Sequence, residues 1–503
     1  MKVSKIRANI SGICPVLIAT LSANLGSFVL GYSIGFPSPI QDHVKRIGLL
    51  DDTTFPIFSS SVFLAAILGS LLVLLSADLV GRKALIILFT LPSSLGWCMI
   101  ASGYSGAIML MGRALTGIAW GGISSLTSVY IADLAPKKFK GLYGSIFTHA
   151  FVGGIFVSNF LGIYLKFQWL ALVPVSVNLL QGLLMFWQPD SPTWLISRSL
   201  DKKAMKTLKY LRGSEHDCLA EFNQIQKIVM EKQLTISERF CLLFTKVRYL
   251  KPLAVVCFCF VCNGFTGVSV ITSYSAEILE SSSLIPPKVA SLVPTLMQSF
   301  SMLFCTILVD RVGRKPLLII SSVGIALCYA MLSGYHFSSL YIWPQCYSIG
   351  QNTSYNSNIQ RLVMSEDFCS SITLLPMIAL LTIRFMYGVG WGPLPWILLG
   401  ETFPLKVRSA AASISVITRL LFSGVPILVF PYLKQLIGQE YVFLIFLFLN
   451  ITSPFFVFIF VPETKGKSLE EVEDLFKKRI VFITCKYSCH KSENEIYIHT
   501  TVN

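Results

Sequence analysis

Charged residues are scarce in this chain of 503 residues, since Asp, Glu, Lys and Arg together make up only 13% of it. Hydrophobic residues make up 53%, and the mean hydropathy is +0.66. The remaining polar surface is too small to cover a water-soluble domain. This composition excludes a disordered chain, a small disulfide-bonded secreted domain and a nucleic-acid-binding domain as the main class, because so much apolar surface has to face lipid. We therefore predict a membrane protein.

The apolar residues lack the two-residue alternation of a transmembrane β-barrel. They form continuous runs of about 20 residues, which is the length that crosses the hydrocarbon core as a helix. We predict an all-α membrane protein with twelve transmembrane helices. The predicted spans cover residues 14–36, 58–77, 84–103, 107–132, 143–166, 168–187, 252–276, 289–309, 316–335, 373–400, 409–433 and 439–461.

The net charge of +15 has a topological explanation. If both termini are cytoplasmic, most of the 41 basic residues lie on the cytoplasmic side, and only three lie inside predicted spans. This is the positive-inside bias of helical membrane proteins. The first apolar run lacks a cleavage site, so we expect it to be retained as span one.

The chain repeats its charged motifs, and this is its most informative feature. The sequence Asp78-Leu-Val-Gly-Arg-Lys83 recurs as Asp310-Arg-Val-Gly-Arg-Lys315, each time between the second and third span of a half. Asp133 and Lys140 follow span four with the same spacing as Glu401 and Arg408 after span ten. Each half then ends on a similar segment, Pro189-Asp-Ser-Pro-Thr-Trp194 or Pro462-Glu-Thr-Lys-Gly466.

The repeats predict two pseudo-symmetric six-helix halves, as in rocking transporters whose binding site lies between the halves. We expect a cytoplasmic N-terminus (1–13), an N-terminal half (14–187) and a cytoplasmic linker with short helices (188–251). A C-terminal half (252–461) with an outer loop (336–372) and a cytoplasmic tail (462–503) complete the chain.

With these motifs, and with Gly390-Trp-Gly-Pro-Leu-Pro-Trp396 and Pro462-Glu-Thr-Lys-Gly-Lys-Ser-Leu-Glu470, the chain resembles the sugar porter family of the major facilitator superfamily. The nearest subgroup resembles insect facilitated trehalose and glucose transporters. The resemblance implies the major facilitator fold and facilitative transport of a sugar of the glucose or trehalose class by alternating access at the plasma membrane. Two alternatives stay open: a sensor that binds solute without moving it, and a carrier of another or an anionic polar solute.

Proton-coupled sugar porters that resemble this chain carry an acidic residue after the Gly-Tyr of span one. Here Gly31-Tyr32 is followed by Ser33, which does not release a proton at physiological pH. We therefore expect uniport.

Candidate substrate-binding residues come from helical spacing and from the resemblance. Asn263, Thr266 and Ser269 recur at three-residue steps on span seven, which predicts one polar helical face. Prolines near Trp396 predict a break in span ten, and the Trp396 ring offers a flat face for a sugar. Thr148 stands where the family has a glutamine, and Gln298 matches an amide position.

Arg419 is predicted to lie about 16 Å inside the membrane from Arg408, with no carboxylate at its depth. A charge there has to face a wet cavity, backbone carbonyls or an anionic substrate. We favour a wet cavity and a neutral sugar, and keep the anionic substrate as the alternative.

The repeated charges are expected to form a conformational latch of ion pairs at the cytoplasmic helix ends, with topology signals alone as the other explanation. The predicted latch residues are Asp78, Arg82, Asp133, Lys140, Asp310, Arg314, Glu401 and Arg408.

The outer loop is predicted to hold a disulfide between Cys346 and Cys369 and a glycan on Asn352. Other functions find no support. Gly466-Lys467-Ser468 lacks the earlier glycine of a phosphate-binding loop, because that position is Val461, so we expect no ATP hydrolysis. We predict no enzyme activity, no cofactor, no metal and no nucleic-acid partner; the expected partners are the sugar and the lipid bilayer.

Overall fold

A computed structural model describes residues 2–136, 140–213, 218–230, 236–280, 292–341, 374–467 and 469–478. The described residues form α-helices joined by short connections. These are α1 (Lys2–Gly35), α2 (Pro37–Arg46), α3 (Thr54–Val80), α4 (Arg82–Ser102), α5 (Gly106–Leu134), α6 (Lys140–Tyr164), α7 (Phe167–Trp187), α8 (Pro192–Ser197), α9 (Asp201–Arg212), α10 (Cys218–Met230), α11 (Ile236–Thr245), α12 (Val247–Phe265), α13 (Val268–Glu280), α14 (Leu292–Val312), α15 (Arg314–Tyr341), α16 (Leu375–Val389), α17 (Leu394–Thr402), α18 (Leu405–Ile437), α19 (Gln439–Phe460) and α20 (Leu469–Lys478).

Twelve segments of the described chain are long and apolar enough to cross a membrane, which confirms the predicted number. They are Pro15–Gly35, Thr54–Val80, Arg82–Ser102, Gly106–Leu134, Tyr143–Tyr164, Phe167–Trp187, Val247–Ser275, Leu292–Val309, Arg314–Ser338, Leu375–Thr402, Ala410–Ile437 and Gln439–Phe460. With twelve spans, the start of the first span and the end of the twelfth lie on one side of the membrane, here called the terminal side. The opposite side is called the distal side.

Two spans are broken. Span ten divides into α16 and α17 at Gly390, as the prolines predict. Span seven divides into α12 and α13 at Gly267, whose φ of +74° cannot continue a right-handed helix. The sequence analysis treated span seven as one helix, so its single polar face was wrong: the turn rotates Ser269 relative to Asn263 and Thr266.

Glycines allow the helices of the N-terminal half to approach closely. A Cβ on Gly31 of α1 would overlap the carbonyl group of Phe151 on α6, and one on Gly154 of α6 would overlap that of Phe28. The same relation holds between α3 and α5, where a Cβ on Gly69 would overlap the Ile118 carbonyl. Small residues at crossings of membrane helices permit this backbone packing, and larger side chains at the same positions would prevent it.

Helices from the two halves also pack against each other. α3 contacts α18, α6 contacts α14, and α2 contacts α13. The short helices α8, α9 and α10 pack together on the terminal side through an apolar cluster that includes Leu195, Leu208 and Phe222. Arg212 joins this group to α5, because its guanidinium donates to the Leu134 carbonyl and to both oxygens of Glu221.

Candidate functional site

The two broken spans are tied together at their breaks. Asn263 at the end of α12 donates from Nδ2 to the carbonyl oxygen of Trp391, at 2.5 Å, and lies 3.4 Å from the hydroxyl of Tyr387. Trp391 is fully buried, and its indole N–H donates to Ser322. Asn263 is only 4% exposed. Its amide therefore satisfies a carbonyl that the break in span ten leaves without a helical partner.

The break in span seven is satisfied in a similar way. The hydroxyl of Thr266 donates to the carbonyl of Asn263, and the carbonyl of Thr266 accepts from Tyr329 on α15. Thr266 is 1% exposed. Of the three residues predicted on span seven, only Ser269 retains partial exposure.

A buried cation holds Gln298. Nη1 of Arg384 on α16 donates to Oε1 of Gln298 on α14 at 2.7 Å, and both residues are nearly inaccessible. Nε of Arg384 has no hydrogen-bond partner among the residues that the structure describes. Gly388 lies on the same helix, four residues after Arg384. A side chain does not fit at position 388, because a Cβ there would overlap the hydroxyl of Ser301. No sequence pattern indicated this pair, because the two residues lie 86 positions apart in the chain.

Trp396 and Arg419 lie together. The guanidinium carbon of Arg419 lies 5.5 Å from the centre of the Trp396 ring, and the edge of Phe260 contacts the same ring. Trp396 is 39% exposed, and Arg419 is partly exposed. Nε of Arg419 has no hydrogen-bond partner within the described part of the chain. The arginine thus covers part of the aromatic surface that was predicted to meet a sugar.

Arg113, in the N-terminal half, is enclosed by acceptors. Its guanidinium donates to the hydroxyl of Ser33 at 2.9 Å, to the carbonyl of Ser33 at 2.7 Å and to the carbonyl of Phe58 at 3.2 Å. It also stacks over the Phe58 ring at 5.0 Å. This cation links α1, α3 and α5 without a carboxylate, so it acts as a structural anchor.

The charged motif of the N-terminal half forms a compact group at the terminal helix ends. Arg82 pairs with Asp78 at 3.0 Å and lies 3.9 Å from Asp133. Ser191, in the segment after span six, donates to Asp133. Gly81 has a φ of +98°, and the ring of Trp194 occupies the space that a Cβ would need. The glycine is therefore required by the turn and by this contact.

The C-terminal half repeats the group. Arg314 pairs with Glu401 at 2.8 Å, and Thr464 donates to the same carboxylate. Gly313 has a φ of +103°, and Glu463 replaces Trp194 as its neighbour. Glu463 accepts the backbone N–H groups of Arg314 and Lys315, each at 3.0 Å, at the start of α15. An acid at a helix N-terminus is stabilised by the exposed amides there.

Each half thus joins an arginine, an acid and a hydroxyl, and each named pair lies within one half. The latch hypothesis requires ion pairs that form when the cytoplasmic side closes. The pairs named here hold helix ends together within one half. Arg408 donates to the Phe403 carbonyl, and the side chains of Lys140 and Asp310 lie outside the described part. Sequence analysis missed Ser191, Thr464 and Glu463, although the hydroxyls stand two residues after Pro189 and Pro462.

The halves meet on the distal side through polar contacts. Gln41 of α2 donates to Glu277 of α13 at 2.7 Å, and Glu277 also binds Lys434 of α18 at 2.7 Å. Tyr432 donates to the carbonyl of Thr53, and Ser38 bonds Ser275. We call Gln41, Glu277 and Lys434 the distal clasp. No motif in the sequence indicated it, because its members lie far apart in the chain.

The clasp borders a cavity of about 240 Å³, which Lys45, Asp52, Phe55 and Tyr274 also line. Lys434 lowers the pKa of the Glu277 carboxyl although burial alone would raise it, and Gln41 and Lys45 add to the lowering. Glu277 is therefore held in its charged form.

The remaining predicted residues are placed as follows. Thr148 is partly exposed on α6. Asn352, Cys346 and Cys369 lie outside the described residues, so the glycan and the disulfide stay predictions.

Comparison with known structures places this architecture in the major facilitator fold. The proton:xylose symporter XylE, solved with 6-bromo-6-deoxy-D-glucose, matches with a TM-score of 0.72 at 20% identity, covering 92% of this chain and 99% of that one. An inward-open structure of the xylose transporter XylE from E. coli gives the same TM-score and coverage.

Sequence comparison then gives the family. The sequence model described as "Sugar (and other) transporter" matches residues 19–476. The human solute carrier family 2, facilitated glucose transporter member 6, is 30% identical over 472 residues, which cover 92% of this chain and 91% of the relative. The facilitated trehalose transporter Tret1 of Apis mellifera ligustica is 27% identical, with coverage of 92% and 88%. The chain belongs to the sugar porter family of the major facilitator superfamily, and it is a multi-pass membrane transporter, not an enzyme.

Proposed function

We propose that the protein is a uniporter that carries a sugar of the glucose or trehalose class down its gradient by alternating access. Support comes from the family, and from relatives named as facilitated glucose and facilitated trehalose transporters. The two halves with a tied pair of broken spans supply the architecture that such a mechanism needs, because irregular backbone at membrane depth is tolerated where protein or a water-filled cavity meets it.

The observation that carries the uniport proposal is the pairing of Arg113 with Ser33. The position after Gly31-Tyr32, where proton-coupled relatives were expected to hold an acid, is a serine that donates no proton at physiological pH. The serine oxygens and the Phe58 carbonyl satisfy the arginine. A carrier without a titrating group here has no means at this position to couple sugar to a proton gradient.

Counterflow in proteoliposomes tests the proposal. Vesicles preloaded with unlabelled glucose or trehalose should take up the labelled sugar transiently, and a protonophore should leave the uptake unchanged. Sustained accumulation above the external concentration that the protonophore abolishes would contradict uniport.

The second candidate is a sensor that binds solute without moving it. The observation in its favour is that Asn263, Thr266 and Gln298 are nearly inaccessible and already bonded within the protein. A sensor would be stabilised by its sugar against heating but would show no counterflow, so the same vesicles decide between the two candidates.

We also propose that the terminal side is cytoplasmic and that the protein lies in the plasma membrane, with Asn352 on the outer side. Replacement of Asn352 by Gln should increase the mobility of the protein on a gel when it is expressed in glycosylating cells. Glycosidase treatment should do the same to the parent protein. An unchanged band after both would contradict this orientation.

A further inference from the structure

Away from their ends, the twelve spans of the described chain hold three arginines and no acid. Arg113, Arg384 and Arg419 lie seven or more residues from either end of their spans. Every Asp or Glu within a span lies within two residues of that span's end: Asp78, Asp133, Glu401 and Glu440. A charge near the bilayer centre costs at least about 2.5 kcal/mol, so each arginine requires a partner or water.

The three arginines differ in how they are satisfied. Arg113 makes three hydrogen bonds to oxygen atoms and stacks on an aromatic ring. Arg384 makes one, to Gln298. Arg419 makes none with the described residues and contacts only the Trp396 face among the interactions found there. Its guanidinium lies over the ring, its Nε is buried, and the described residues accept a hydrogen bond from none of its N–H donors.

The pairing of Arg384 with Gln298 adds a further donor. A guanidinium only donates, so the amide atom that faces Arg384 has to be the oxygen, and the opposite atom of the Gln298 amide is its NH₂ group. That NH₂ group has no hydrogen-bond partner in the described part of the chain. Donors therefore outnumber acceptors among these side chains at membrane depth, and a ligand that reaches the partly exposed Arg419 has to be rich in acceptors.

We propose that Arg419 binds a carboxylate of the transported solute, so that the preferred substrate is a sugar acid such as a hexuronate. The depth of Arg419 favours this ligand. Its backbone lies about 13 Å along the helix from Ala410, the first residue of the span, so its charge lies deep within the hydrocarbon core. A carboxylate accepts two parallel N–H bonds from a guanidinium and neutralises its charge, which a neutral hydroxyl does not. The inference rests on the proposed transport function and deepens it, because it expects the best substrate within the glucose class to be one that carries a carboxylate, where the sequence analysis favoured a neutral sugar.

The test uses the full-length protein in proteoliposomes, with labelled glucuronate and labelled glucose as probes. Glucuronate should exchange and should compete with glucose. Arg419→Gln should weaken glucuronate exchange about tenfold or more, because a hydrogen bond to a charged group is lost, and should change glucose exchange far less. Arg419→Lys should recover part of the glucuronate exchange. Thr418→Val is the matched control, because Thr418 is adjacent to Arg419 and its hydroxyl donates to the carbonyl of Ile414 on its own helix.

Binding is measured separately from transport as the rise in thermal stability of the detergent-purified protein with glucuronate. This rise should disappear in Arg419→Gln, and a single symmetric gel-filtration peak should show that the variant folds. Acetate, a carboxylate without a sugar ring, should not compete; equal competition by acetate would contradict the sugar-acid class.

The outcomes separate the two proposals. Exchange of glucose or trehalose without Arg419-dependent competition by glucuronate would overturn the inference and leave sugar transport intact. Stabilisation by glucuronate that depends on Arg419, with no exchange of any solute, would support the binding assignment and overturn transport. Absence of both would overturn both.

Discussion

The proposal of uniport depends on a single serine beside a buried arginine, and this contact is open to test. Replacement of Ser33 by Ala removes the hydroxyl acceptor but keeps the backbone carbonyl for Arg113. We expect a loss of about 1–2 kcal/mol in the free energy of unfolding, because one buried hydrogen bond to a charged donor disappears. Thermal unfolding in nanodiscs measures the change.

Counterflow of the Ser33→Ala variant should stay independent of pH between 6 and 8, like the parent. The control is Ser102→Ala, whose hydroxyl bonds only to its own helix on an exposed surface. Equal melting temperatures for the Ser33 variant and the parent would show that Arg113 does not depend on this hydroxyl.

The turn glycines provide a second prediction at the residue scale. Gly81→Ala should destabilise the protein by about 1–3 kcal/mol, since alanine is strained at a φ of +98° and its methyl group would meet the Trp194 ring. Gly144→Ala is the matched control, because Gly144 lies within α6 with open space around it. Alanine there should leave the melting temperature unchanged or raise it, since it favours helix. A similar fall for both variants would contradict the assigned role of the turn.

At the scale of elements, sequence patterns predicted much of the fold for identifiable reasons. The spans follow from apolar runs whose length the bilayer fixes, and the break in span ten follows from prolines that cannot donate. The break in span seven was missed because it depends on one glycine, Gly267, stabilised by the distant Tyr329 hydroxyl. The site was predicted less well, because partners such as Gln298 and Arg384 are joined by packing and share no local pattern.

The tie between the broken spans gives a prediction for an element. Asn263→Ala should leave the Trp391 carbonyl buried without its donor, at a cost of about 1–3 kcal/mol. It should also slow counterflow, because α16 and α17 lose the contact that holds their junction against α12. Thr452→Ala is the control for stability, because the Thr452 hydroxyl is exposed and donates to the carbonyl of Leu449 on the same helix. Unchanged melting and unchanged exchange in the Asn263 variant would indicate that the tie has no role.

At the scale of the whole molecule, the two halves repeat the same arrangement with different residues. Arg82 and Arg314, Asp133 and Glu401, and Ser191 and Thr464 correspond in place and partner. These groups hold the terminal helix ends within each half. The polar contacts named above that join the halves lie on the distal side, so the distal clasp is the contact that the proposed alternating-access cycle has to open on that side.

The last prediction concerns this opening. Gln41→Ala removes a cross-half hydrogen bond to a charged carboxylate, and such bonds contribute about 1.5–3 kcal/mol. The population that is open on the distal side should therefore rise about tenfold or more. Spin labels on the exposed residues 42 of α2 and 436 of α18, introduced as Asp42→Cys and Leu436→Cys, should then report longer distances by pulsed electron resonance. Gln435→Ala, which lines the same cavity, is the control.

The same labels should report a defined dependence on pH. The pKa of Glu277 is lowered in the closed state, mainly by Lys434 acting against burial, with Gln41 and Lys45 contributing. A lowered pKa means that the clasp is fully effective above the ordinary carboxyl pKa of 4.5 and weakens as the pH falls through the lowered value. The distances should thus stay constant from pH 7 to pH 5 and lengthen only at lower pH. Glu277→Gln, which cannot ionise, should shift the distances toward the open distribution at pH 7, since Gln41 then donates across the halves to a neutral amide and no longer to a carboxylate. Opening of the parent protein already between pH 7 and pH 5, or a closed distribution in the Glu277 variant, would contradict the clasp as the contact that closes the distal side.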